Sequence, residues 1–101
     1  MEEVKEYLVS GTTKSGIAYT VDTRVRNDTR FLQSALRMRN KKLSNEDRAN
    51  ALFSLLGLLF GSDDGVALFE NEVAAHHDGI CSVETLVAEL NDIYEATNLK
   101  N

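Results

Sequence analysis

The chain predicts an α+β fold, mainly α: an N-terminal β-hairpin packed on a compact bundle of about four helices. Two observations carry this. Residues 5–22 alternate in polarity with a period of two, around a polar, glycine-bounded connection. Across residues 27–97, apolar residues recur at helical spacing in successive runs, each opened by Asn, Asp or Ser. At 101 residues the chain is expected to be a single domain over residues 1–101. That length can bury a real core without disulfide or metal staples.

The hairpin comes first. Tyr7 and Val9 alternate with outward neighbours, then Ser10 to Gly16 is turn-rich. After it Ile17, Tyr19 and Val21 alternate with Ala18 and Thr20. A lone hairpin is marginal in water, so its apolar face must lie on helices. At Asn27-Asp28 the period changes. Either residue can cap a helix, in which Phe31, Leu32, Ala35, Leu36 and Met38 follow. Arg37 and Arg39 sit where the dipole of that helix favours cations, before Asn40 ends it. Ser44-Asn45-Glu46-Asp47 reads as a capping box opening the second helix, with Asp47 in the reciprocal position. Gly61 stops that helix.

Ser62 caps the third helix, with Asp63 and Asp64 in its first turn and Val66, Phe69 and Val73 on one face. His76-His77-Asp78-Gly79 ends it, and Ile80-Cys81 is a short extended step. Ser82 caps the fourth helix. There Val83, Leu86, Val87, Leu90, Ile93 and Tyr94 follow the i, i+3, i+4, i+7 rule, opposite an acidic face of Glu84, Glu89, Asp92 and Glu95.

The second helix holds the oiliest stretch, Leu52-Phe53-Ser54-Leu55-Leu56-Gly57-Leu58-Leu59-Phe60-Gly61. At about 100° per residue its apolar side chains sweep roughly 220°, against a stripe of about 100° for a helix on one core. One explanation is a central helix surrounded by the rest. The other is a flank left for a partner or a second copy, with candidates Leu52, Phe53, Leu55, Leu56, Leu58, Leu59 and Phe60. Some of these must hold the domain together, and periodicity does not divide them. Gly57 and Gly61 imply close approach or a real terminus.

Sixteen acidic residues face eleven basic ones, a formal net charge of −5. With no basic stripe interleaved with aromatics, nucleic acid and anionic membranes are not expected partners. The oily run is about half the length that spans a bilayer. The acidic start MEEVKEYLVSG is unlike a signal peptide, and the lone cysteine permits no internal disulfide. His76, His77, Asp78 and Cys81 have metal-ligand chemistry, but adjacent helical histidines point about 100° apart and no second group completes a site. Asp63-Asp64-Gly65 lacks the alternating acids of a calcium loop. Cys81 beside an apolar strand reads as a packed small residue. No phosphate-binding, dinucleotide or nucleophile-elbow motif occurs. No catalysis, cofactor or metal is expected.

The order of elements carries a resemblance. Gly16-Ile17 to Val21-Asp22 is followed by Asn27-Asp28-Thr29-Arg30-Phe31-Leu32, and then by the run ending Leu58-Leu59-Phe60-Gly61. After an acidic restart come Asp78-Gly79-Ile80-Cys81-Ser82-Val83-Glu84-Thr85-Leu86 and the final Leu99-Lys100-Asn101. Over residues 15–101 this resembles the small tail assembly chaperones of long-tailed siphophages and prophages of Gram-positive hosts. The resemblance implies a non-enzymatic protein of the bacterial host cytoplasm. Such a protein coats the long, apolar, helical tape measure protein, self-associates along it and helps recruit tail tube subunits. It is absent from the finished virion. It also implies a longer product made by translational frameshifting, and Leu-Lys-Asn can be encoded UUA-AAA-AAC, which contains a slippery heptamer. The alternative is a small acidic helical adaptor or regulatory protein that homodimerises through the apolar helix 46–60.

Overall fold

A computed structural model describes residues 6–99. The start of the predicted hairpin at residue 5, and Lys100-Asn101 of the proposed slippery site, lie outside the described residues. The architecture is the expected one: an antiparallel hairpin, β1 (Leu8–Thr12) and β2 (Ala18–Asp22), followed by four helices. These are α1 (Thr29–Arg39), α2 (Asn45–Phe60), α3 (Asp63–His76) and α4 (Val83–Thr97).

The hairpin closes through Thr13 and Gly16. The Thr13 N–H donates to the Ile17 carbonyl, and the Gly16 N–H to the Thr13 carbonyl, both at 2.9 Å. Val9 pairs with Val21 and Gly11 with Tyr19, so one strand face carries Ile17, Tyr19 and Val21 into the core. The other face is polar, where the Ser10 and Thr20 hydroxyls meet at 2.7 Å. Gly11 is required by close approach. A Cβ there would lie 2.5 Å from the Tyr19 hydroxyl, because the Tyr19 ring lies across its partner strand.

A 3₁₀ turn, Thr23–Asn27, joins hairpin to helices and buries Val25. The sequence pattern did not reveal it, since a single turn has no periodicity to read. The Asp28 side chain caps α1 by accepting from the Arg30 N–H at 2.8 Å. Phe31 and Ser34 are buried, with Ala35 and Met38 packed against the core. Leu36, expected on the same face, is 68% exposed. It stands about 140° around the helix from Phe31, outside the stripe.

Ser44 caps α2 by accepting from the Asp47 N–H at 3.1 Å, but the reciprocal arm expected from Asp47 is not made. The two-way box occurs instead at α4, between Ser82 and Thr85. Gly61 ends α2 with φ of 79°, a left-handed conformation costly to any residue with a Cβ. The chain then turns by 108° into α3. Val66, Phe69 and Val73 form the buried face of α3, and Phe69 stacks at 4.7 Å on Phe60.

One contiguous core gathers residues from β2, the 3₁₀ turn and all four helices. α1 lies along α2 in the most extensive helix contact. α4 is held chiefly by α3 and β1, and approaches α2 only sparsely.

Candidate functional site

The oily helix divides by its own geometry. Leu52, Leu55, Leu56 and Leu59 recur at i, i+3, i+4 and i+7, and all are fully buried in the core. These four are among the candidates that hold the domain together, because one narrow stripe of α2 faces β2, α1 and α3 together, and of the four Leu52 also lines a groove. Leu58 and Phe60 flank the stripe, half-buried and packed against the core. Only Phe53, at 44% exposure, stands well out from it. Gly57 sits on this outer side with no atom within 4 Å of where a Cβ would lie. The close approach it suggested is not made among the described residues.

Sparse contact between α4 and the first half of α2 leaves a groove of about 770 Å³. Met38 of α1, Ala49 and Leu52 of α2, and Val87 and Tyr94 of α4 give it an apolar floor. Asn45, Arg48, Ala49 and Leu52 share the groove side of α2, as the N-terminal continuation of the same stripe whose later part is fully buried. The Tyr94 ring packs edge-on to Phe31 at 6.2 Å, and its buried hydroxyl has no hydrogen-bond partner among the described residues. Burial pushes that hydroxyl's pKa up.

The walls are unlike in charge. The α1–α2 side carries Arg39, Lys41 and Arg48, and the α4 side carries Glu84. The Arg48 Nε–H donates to the Met38 carbonyl at 3.0 Å, which fixes that side chain along the rim. Arg39 and Lys41 are exposed and make no ion pair among the described residues.

A second polar cluster lies where the hairpin turn meets α3 and α4. Glu89, expected on the acidic outer face of α4, is 2% exposed. It stands about 60° from Leu86 on the helix wheel, at the margin of the buried stripe, while Glu84 and Glu95 stand opposite. That angle is the signal that reading the four acids as one face passed over. His77 Nε2 lies 3.1 Å from Glu89 Oε1 and donates to it. Burial is the largest influence on the carboxyl and pushes its pKa up. The Ser15, His77 and Thr13 donors together outweigh it and hold the pKa below the usual value. In this geometry Oε2 itself has no hydrogen-bond partner among the described residues.

Two further bonds clasp the same turn. His76 Nδ1 donates to the Ser15 carbonyl at 2.9 Å, and the Lys14 N–H to Asp92 at 3.3 Å. Of the two histidines discounted as ligands, His76 thus holds the hairpin turn and His77 ties the end of α3 to α4. Among the described residues no group of three or more His, Cys, Asp or Glu side chains could hold a metal ion. Burial pushes the Cys81 thiol pKa up, and the Glu70 charge adds to this, so the nucleophilic thiolate is disfavoured.

No single helix among the described residues is long and apolar enough to cross a membrane; α2 and α3 reach that length and hydropathy only together, across their 108° bend. No protein-family model, no curated protein and no solved structure matches the chain.

Proposed function

We propose that this chain is a non-catalytic helix-binding protein that acts as a phage tail assembly chaperone, covering the apolar tape measure protein in the bacterial host cytoplasm and helping to recruit tail tube subunits. The observation that carries the reading is the open groove between α1–α2 and α4, whose apolar floor is continuous with the core through Leu52 and Tyr94. An amphipathic helix lays its apolar face into a groove of this kind. The order of hairpin, four helices and acidic α4 supports the resemblance that names the client.

The test is co-expression of the tagged chain with the tape measure protein encoded downstream of it in its genome. Solubilisation of that client, with many copies of this chain on each, is the expected result. A client that stays insoluble, beside a chain that runs alone as a discrete dimer, would favour the second reading, an acidic adaptor that homodimerises through α2. Phe53 at the surface of α2 is the observation that keeps this second reading in play. With Leu52, Leu55, Leu56 and Leu59 buried, such a dimer would rest on Phe53 and the half-buried Leu58 and Phe60.

A further inference from the structure

We infer that the groove selects a partner helix that is acidic along one flank, lying with that flank against the α1–α2 wall. This rests on the helix-binding function proposed for the same groove and adds the chemistry of the partner. The two walls differ in charge, as a symmetric apolar slot would not. Arg39, Lys41 and Arg48 stand on one side and Glu84 on the other. A helix seated on the floor of Met38, Ala49, Leu52 and Val87 places its two flanks beside these walls. Carboxylates on the first flank meet three cations. Cations on that flank would meet like charge.

The net charge of −5 does not cancel this preference. At physiological ionic strength charges beyond about 8 Å are largely screened, so the residues lining the groove decide. Glu46 and Asp47, beside Arg48 in the first turn of α2, moderate its field but do not line the groove and so do not face a seated helix. Arg48 is already fixed by its bond to the Met38 carbonyl, so it loses little freedom when a partner arrives. Arg39 and Lys41 supply the adjustable part of the rim. Glu84 makes the preference directional, because an acidic flank turned the other way would meet a carboxylate.

The experiment uses the full chain and two synthetic amphipathic peptides of about 18 residues, long enough to form a helix. Both carry the same Leu and Ala face; one has Glu along one flank and the other has Lys. Fluorescence anisotropy reads their binding. The Glu peptide should bind about tenfold tighter, since each rim pair adds a modest increment, and the gap should narrow with salt. Arg39→Glu combined with Lys41→Glu, both at exposed positions, should reverse the preference with an unchanged circular dichroism spectrum. Equal binding of both peptides would overturn the charge rule while leaving helix binding intact. Tighter binding of the Lys peptide would also overturn it. Binding of neither peptide would remove the helix-binding function itself. A concentration-dependent dimer that excludes both peptides and is dispersed by Val87→Arg would assign the groove to a second copy, and would overturn the inference.

Discussion

Glu89 shows how one side chain can tie local structure to fold stability. It is a buried carboxylate at the margin of the hydrophobic stripe of α4, answered by His77 from the end of α3 and by the hydroxyls of Thr13 and Ser15 in the hairpin turn. Removing its charge leaves these donors poorly matched in a buried place. Glu89→Gln should therefore cost about 1–3 kcal/mol near pH 7, read from urea unfolding. The sign of the pH dependence follows from the lowered pKa. The contribution is fully present above the unfolded-state value, near 4.5, and is lost as the pH falls through the folded-state value. The wild type should thus lose its advantage over the variant on titration into acid. An advantage that stays constant from neutral pH to below about pH 4 would show that the carboxylate charge contributes nothing.

At the level of elements, α2 decides how much of the molecule is structure and how much is surface. Leu55 is fully enclosed, so Leu55→Ala should destabilise by about 2–5 kcal/mol. Phe53 is two residues away and nearly half exposed, and Phe53→Ser should cost under about 1 kcal/mol. A large loss at Phe53 in thermal unfolding would mean that its ring is packed more tightly than this. Gly57 lies in the same helix with open space at its Cβ position. Gly57→Ala should stabilise the isolated chain by up to about 1 kcal/mol. Weakened partner binding alongside that gain would show that a second molecule approaches the bare backbone there. The boundaries of these elements were legible in the sequence because caps are local. Asp28, Ser62, Ser82 and Gly61 act on backbone groups within a turn of themselves. Glu89 was misplaced because it lies at the margin of its stripe, where a wheel angle alone does not decide burial, and Leu36 because an apolar residue outside the stripe was read into it. The seven candidate residues of α2 could not be divided for a different reason. Which side of a helix becomes interior depends on where other helices arrive. The groove was invisible for that same reason, since it exists only because α4 is anchored to α3 and β1 and stands off from α2.

Across the whole molecule, that anchoring makes α4 one wall of the groove and leaves it without broad contact to α2 across it. Among aromatic contacts of the described residues, the edge-on Phe31–Tyr94 pair is the bridge from α1 to α4. A helix seated in the groove would supply the missing bridge along its length. Ligand that binds the folded state alone stabilises it by mass action, by about 2.7 kcal/mol at a hundredfold excess over Kd. For a domain near 101 residues that corresponds to a rise in Tm of roughly 10 °C or more. Saturating Glu-flanked peptide should therefore raise the Tm of the wild type by that order. Amide exchange should slow along α4 between Val83 and Tyr94, the stretch that lines the groove. Val87→Arg places a charge on the groove floor at a half-buried position, so it should keep the free protein's fold and abolish both responses. Protection confined to the hairpin turn, or a Tm rise that survives Val87→Arg, would place the binding helix elsewhere on the molecule. The outer face of α2 around Phe53 would then be the surface to test next, since it is where the oily helix still reaches solvent.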